Sequence, residues 1–317
     1  MTLLPTGLAL LLCVLVAAGS HNPLLFSEFN AQARNVTLYR LDNTAQTYND
    51  VKLVAGLPNI LGSGVTACNA KTCFVAPLSP STGPVVFSID LATKAVGYLV
   101  VPLAPPPYAA SAAASEEHFF LATASSTNDM VAAVRLADGA LAWTAYLTLP
   151  PLAVVPIIGR GLMVVGDAGL SDSKRVLIGE LYDLKSPTPT WSAKYFTNGP
   201  EEVVAVTVDP RGSVMYVVQQ KYSEQAWKDN VQTITTFSVP QSAQPGITHA
   251  IPRLEGSKLI APVLLNGTQV LMFGQYPSDS MVKVFAYDLD VSNATIALQS
   301  ACLLPSADTW SGASISA

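Results

Sequence analysis

A three-residue phrase closes a hydrophobic run six times along this chain. An apolar or aromatic residue comes first, then Asp, Arg or Ser, then Leu or Val. The copies are Tyr39-Arg40-Leu41, Ile89-Asp90-Leu91, Val134-Arg135-Leu136, Tyr182-Asp183-Leu184, Phe237-Ser238-Val239 and Tyr287-Asp288-Leu289. Their last residues lie 50, 45, 48, 55 and 50 positions apart. In the first four copies an aromatic follows seven residues later, as Tyr48, Tyr98, Trp143 and Trp191. Self-similarity at a period of about 48 residues, with strand content, is the signature of a radial repeat architecture.

Between successive copies lies a second pattern, two apolar strands joined by a tight turn. It is clearest in VVAVTVDPRGSVMYVVQ, residues 203–219, where Asp209-Pro210-Arg211-Gly212 makes the turn. Pro presets φ there and Gly permits a positive φ. Equivalent turns are predicted at Cys68–Cys73, Ser115-Glu116-Glu117, Gly159-Arg160-Gly161 and Asn266-Gly267-Thr268. Each unit therefore reads as four antiparallel strands. Two are short and apolar, the third carries the phrase, and the fourth opens with the aromatic. A blade of this kind packs both faces against its neighbours, so its inner strands are nearly all apolar. The aromatic is expected to fill the wider wedge near the rim, as packing and not as a binding strip.

The fold class predicted is all-β, a β-propeller of six four-stranded antiparallel blades in a single domain over residues 21–317. Six outer hairpins and five complete inner ones are legible. The remaining inner material is expected from residues 305–317 joined with residues 21–34, so that both ends share one blade. Seven blades would require the 203–256 unit to hide an extra strand pair, or the chain to be truncated.

The units VVFSIDLATKAVGY, MVAAVRLADGALAW and KVFAYDLDVSNATI resemble the outer hairpins of quinoprotein-type propeller repeats. The 203–219 stretch resembles the inner hairpin of lactonase-type propellers. Quinoprotein dehydrogenases use an adjacent cysteine pair, which is missing here. The Asp box of sialidases, the double glycine of kelch repeats and the Trp-Asp ending of WD repeats are missing too. The lactonase resemblance implies one calcium in the central channel, held by acidic side chains at inner-strand ends. Asp167, Glu201, Glu202 and Asp279, read as loop residues on one face, are the candidates. Asp288, Asp290 and Asn293 lack the Gly and the distal Glu of a calcium loop and read as a solvated turn.

Residues 1–20 read as a signal peptide. Their apolar stretch, about Leu8–Ala18, is shorter than the roughly 20 residues a bilayer span needs, and Ala18 and Ser20 suit cleavage before His21. No transmembrane span is expected after cleavage, and the protein is expected to be secreted. Cys68 and Cys73 are expected to face each other across a hairpin and form a disulfide. Cys302 is left over and is read as a buried thiol, with an intermolecular bridge as the alternative. Sequons at Asn35-Val36-Thr37, Asn266-Gly267-Thr268 and Asn293-Ala294-Thr295 predict glycosylation.

Charged residues make up only 12% and the 17 Lys and Arg are scattered, so the basic patch that nucleic-acid binding leaves is missing. His21, His118 and His249 are the histidines after the leader, and no two are spaced as metal ligands. GxSxG, HExxH, GxGxxG and the P-loop are missing as well. No catalytic residue is assigned and no cofactor is expected, with calcium the alternative. The expected function is an extracellular binding or scaffold module. Long polar loops at 79–83, 125–129, 167–173, 221–230 and 275–280 share one face, and a protein or glycan would bind there. Tyr222 and Trp227 in the longest loop, with Tyr276 on the next, are the candidate contacts, since exposed aromatics are enriched in binding hot spots; the alternative is that Trp227 packs on its own loop and staples it. The alternative is a propeller hydrolase or lactonase with a channel metal.

Overall fold

The computed structural model describes residues 24–42, 47–57, 64–77, 85–101, 108–124, 128–209, 211–221, 231–239, 246, 248–251, 258–264, 269–275, 282–290, 295–304, 309–313 and 315–316. The first sheet contains β1 (Leu24–Asn30), β2 (Asn35–Asp42) and β3 (Thr47–Val54). The second contains β4 (Gly64–Asn69), β5 (Thr72–Pro77), β6 (Val85–Asp90) and β7 (Val96–Val100). The third contains β8 (Tyr108–Ala114), β9 (His118–Ala124), β10 (Asp129–Arg135) and β11 (Leu141–Leu147). The fourth contains β12 (Pro151–Ile157), β13 (Gly161–Ser171), β14 (Lys174–Tyr182) and β15 (Pro189–Phe196). The fifth contains β16 (Glu202–Val208), β17 (Val214–Lys221), β18 (Val231–Ser238) and β19 (Thr248–Ala250). The sixth contains β20 (Lys258–Leu264), β21 (Gln269–Gln275), β22 (Val282–Asp290) and β23 (Thr295–Leu304). The chain ends in β24 (Thr309–Ala313) and β25 (Ile315–Ser316).

β24 pairs antiparallel with β1, so the first sheet runs β24-β1-β2-β3 and is completed by the far end of the chain. This is the shared closure expected from residues 305–317 and 21–34. The innermost strands touch in the order β24, β4, β8, β12, β16, β20 and back to β24, so the six described sheets form a ring. β25 adds to β4 in parallel, with Ile315 opposite Cys68.

The repeated phrase ends the third strand of every sheet, and its chemistry follows from that place. The first residue of the phrase is buried in each copy whose side chain is described: Tyr39, Ile89, Val134, Tyr182 and Phe237. The Leu or Val two positions on shares its face, because a strand alternates sides with period two. Ile89 and Leu91 pack into a core with Leu25, Phe29 and Val36 of the preceding sheet. Val134 and Leu136 do the same against the second sheet, Tyr182 and Leu184 against the third, and Phe237 and Val239 against the fourth. The repeat is thus an instruction to pack against the preceding blade.

The aromatics seven residues later split. Trp143 is buried, stacks on Tyr182 with ring centroids 5.9 Å apart, and donates its Nε1–H to the Leu184 carbonyl at 2.9 Å. Trp191 packs partly buried beside Tyr195. Tyr98 corrects the expectation of rim packing: it touches Phe87 edge-on but remains 69% exposed. A wedge is filled only as far as the neighbouring sheet reaches outward. The side chain of Tyr48 lies outside the described residues.

First-to-second and third-to-fourth connections lie on one side of the ring, here the turn face. The phrase stitches it: the N–H groups of Leu91, Leu136 and Val239 donate to the carbonyls of Lys71, Glu117 and Ser213, each at 2.8 Å. Asp90 caps its own turn, accepting from the N–H groups of Thr93 (2.6 Å) and Ala92 (3.0 Å) and from the Thr93 hydroxyl (2.8 Å). Those bonds favour the ionised carboxyl and hold it below its ordinary pKa. The expected Cys68–Cys73 disulfide is present, between directly facing residues with Cα atoms 4.1 Å apart. Buried Asn69 accepts from the N–H groups of Lys71 and Thr72 and donates to the Ser115 carbonyl of the next sheet at 2.8 Å.

Candidate functional site

Second-to-third and fourth-to-next-first connections lie on the opposite side of the ring, the loop face. There the chain between Asp167 and Ser173 departs from its expected form as a polar loop. β13 and β14 continue past the end of β12, which pairs only as far as Gly166, and form a projecting hairpin. We call it the finger.

Three local features build the finger. The ladder breaks its register between Asp167 and Leu170 and then resumes with Leu170 opposite Arg175 and Ser171 opposite Lys174. Gly169 sits at the break with φ +85°, in open surroundings, and its N–H donates to Asp167 Oδ1 at 2.7 Å. A bulge of this kind suits Gly because a Cβ disfavours positive φ. The tip is Asp172-Ser173, at φ +50° and +63°, the left-handed pair that a two-residue hairpin turn requires. At the base, Arg175 Nη1 pairs with Asp167 Oδ2 at 3.1 Å. The result is a projecting hairpin that holds Leu170 60% exposed.

The base is tied to the next blade by polar groups. Arg175 N–H donates to the Thr197 hydroxyl (3.0 Å) and to the Gly199 carbonyl (3.2 Å), and Thr197 N–H returns a bond to the Arg175 carbonyl at 3.0 Å. The Thr197 hydroxyl donates to Gly199 O at 2.7 Å. Buried Gln219, near the end of β17, donates from Nε2 to the Glu201 carbonyl at 3.1 Å. Asn198 Nδ2 reaches the Thr248 hydroxyl at 2.6 Å. Tyr195 lies buried beneath this layer, and burial pushes its phenol up to about 12.

Of the acidic residues named as calcium candidates, Asp167, Glu201 and Glu202 are described. Asp167 is a strand residue engaged with Arg175, not a loop carboxylate. Glu202 is exposed and opens β16, again in a strand, while Glu201 precedes it half-buried. Asp279 lies outside the described residues, as do Tyr222, Trp227 and Tyr276. Among the described residues no group of three His, Cys, Asp or Glu side chains is placed to hold a metal. Asn35 opens β2 on the loop face, since β1 and β2 are the second and third strands of their sheet. Asn266 and Asn293 lie outside the described residues, as does the side chain of Cys302. Leu170 was not singled out from sequence. Its available signal was the pair of apolar runs around Asp172-Ser173, which reads as a hairpin once a turn without Gly is admitted.

No protein-family model matches this chain, and no curated protein sequence does. Solved structures do match. TolB from Acinetobacter baumannii aligns over 92% of this chain and 67% of its own, with TM-score 0.60 and 13% identity. A putative 6-phosphogluconolactonase from Bacteroides uniformis aligns over 89% and 83%, with TM-score 0.58 and 13% identity. A chain of a nidogen/laminin complex aligns over 92% and 98%, with TM-score 0.57 and 14% identity. The fold is a β-propeller. At these identities the likeness speaks for the fold alone, because one superfold hosts many functions.

Proposed function

We propose that this propeller is an extracellular binding module that engages a protein partner through its loop face, with the finger as the leading contact. One observation carries the reading: an ordered hairpin, locked at its base by Arg175 and Asp167, holds an apolar Leu170 out in solvent. A pre-organised contact pays little ordering entropy on binding. An apolar tip suits a protein pocket better than a glycan, which is met by aromatic stacking and hydrogen bonds. The Cys68–Cys73 disulfide supports an oxidising compartment, in line with a signal peptide at residues 1–20 and a secreted domain from residue 21. The likeness to a chain solved in a nidogen/laminin complex supports a protein-binding use of this fold. Tyr222, Trp227 and Tyr276, which the sequence reading assigns to the same face, are proposed as further contacts.

The test is capture of extracellular protein domains by the secreted chain and by its Leu170→Asp variant. The substitution is at an exposed site, so stability should change by no more than about 0.5 kcal/mol. Partner capture should fall at least tenfold, as for a contact worth about 1.4 kcal/mol. Equal capture by both proteins removes the finger from the interface. The likeness to lactonases supports a second reading, a hydrolase with a channel metal. Native mass spectrometry that finds a chelator-sensitive metal, together with lactone hydrolysis, would favour it.

A further inference from the structure

We infer that Asn35 carries an N-linked glycan that covers the sector of the loop face opposite the finger, leaving the finger sector as its accessible half. The inference rests on the secreted reading above. Asn35-Val36-Thr37 has the acceptor pattern, and Asn35 is partly exposed directly after the turn at residues 31–34. That turn is set by Asn30 Oδ1, which accepts from the Ala33 N–H at 2.8 Å, and by Arg34 at φ +51°. It joins the second and third strands of the first sheet, as the finger tip does in the fourth. The ring of innermost strands places these two sheets three steps apart in either direction. A glycan is a bulky, hydrated surface group, so at Asn35 it restricts approach over the first sheet and leaves the fourth, which carries the finger, open.

The fold also dictates when the sugar is attached. Val36 is 1% exposed and Thr37 9% exposed in the finished β2, so the folded chain withholds the hydroxyl of the acceptor pattern. Yet the first sheet cannot be completed until β24 is made, because β24 is the inner partner of β1. Synthesis delivers the N-terminal part first. The segment around Asn35 therefore waits without its full sheet while nearly all the rest of the chain emerges. Late closure gives the modification its window.

The experiment uses the full chain secreted from a eukaryotic cell. Enzymatic glycan release should convert Asn35 to Asp in protein from the medium, as read by peptide mass spectrometry. Asn35→Gln should lose that glycan alone, and Thr37→Ser, which keeps the pattern, should retain it. Protein made in a bacterial host, folded and then offered to glycosylating membranes should stay bare at Asn35, whereas chains translated into those membranes should be modified. An unmodified Asn35 in secreted protein overturns the inference and leaves the secreted reading standing. Protein confined to the cell, bare at Asn35, overturns both. Efficient modification of the folded protein overturns the account of timing.

Discussion

The β4–β5 hairpin turns at Ala70-Lys71 and the β13–β14 hairpin at Asp172-Ser173, each between strands of an inner or middle pair. The first lies on the turn face and is fastened three ways: by its disulfide, by the Asn69 cap, and by the Asn69 bond to Ser115 in the next sheet. The second lies on the loop face, and its outer part is held by a short resumed ladder, the Gly169–Asp167 bond and one ion pair with both side chains 23% exposed. Exposed pairs contribute only about 0–1 kcal/mol. The difference shows where the ring needs strength. Turn-face hairpins anchor neighbouring blades, so their loss disturbs the ring. Among the described residues the finger is tied to the ring at its base, where Arg175 meets Thr197 and Gly199.

This contrast can be broken in order of size. Replacing both Cys68 and Cys73 by Ala should lower unfolding stability by about 2 kcal/mol, the chain-entropy value for so short a loop. Denaturant titration checks it, and an unchanged midpoint would mean that Asn69 alone holds the hairpin. Changing Asp172-Ser173 to Asn-Gly should raise stability by about 1 kcal/mol or less, because two residues at positive φ then adopt a conformation suited to them. The gain should appear in hydrogen exchange of residues 168–175 and leave the turn face unmoved. Spreading of protection to residues 68–73 would contradict the independence of the two hairpins.

The smallest effect concerns acid. His118 opens β9 beside the Ser115 turn that Asn69 holds, stacks on Phe120, and has its Nδ1 buried without a hydrogen-bond partner. Burial pushes its pKa below the ordinary value, against a weaker opposing pull from Glu117. The folded state therefore binds the proton less readily than the unfolded chain. The stability it contributes is full above the ordinary histidine pKa of about 6.5 and is lost as pH falls through that value toward the lower folded one. The melting temperature should drop less between pH 7 and pH 5 in His118→Gln than in the wild type. A parallel drop would assign the acid sensitivity to other groups.

Much of the ring was legible beforehand because its signals are local. The phrase ending in Leu91, Leu136 or Val239 must both fill an inter-sheet core and tie the third strand to an inner turn, and few residue types do both. The disulfide pair was legible because facing hairpin positions are fixed by spacing. The finger was not. Asp172-Ser173 lacks the Gly that usually announces a two-residue turn, and the polar residues of 167–174 look alike in a loop and in a solvated hairpin. Tyr98 misled for the opposite reason: it holds the same repeat position as Trp143, yet one is exposed and the other buried. How far a neighbouring blade reaches is not written at the position itself.

The sequence by itself determined the repeat, the strand count of each unit and the joining of the two chain ends, since these follow from alternation and period, which act along the chain. Only the tertiary structure decided that Asp167 serves Arg175, that Leu170 stands in solvent, and that Asn35 and the finger lie on one face across the ring from each other. Those facts depend on which blades become neighbours and where each ends. Asp167 and Arg175 are only eight positions apart, but their place on a projecting hairpin follows from β13 and β14 outrunning β12, and the first sheet is completed only by β24 from the far end of the chain.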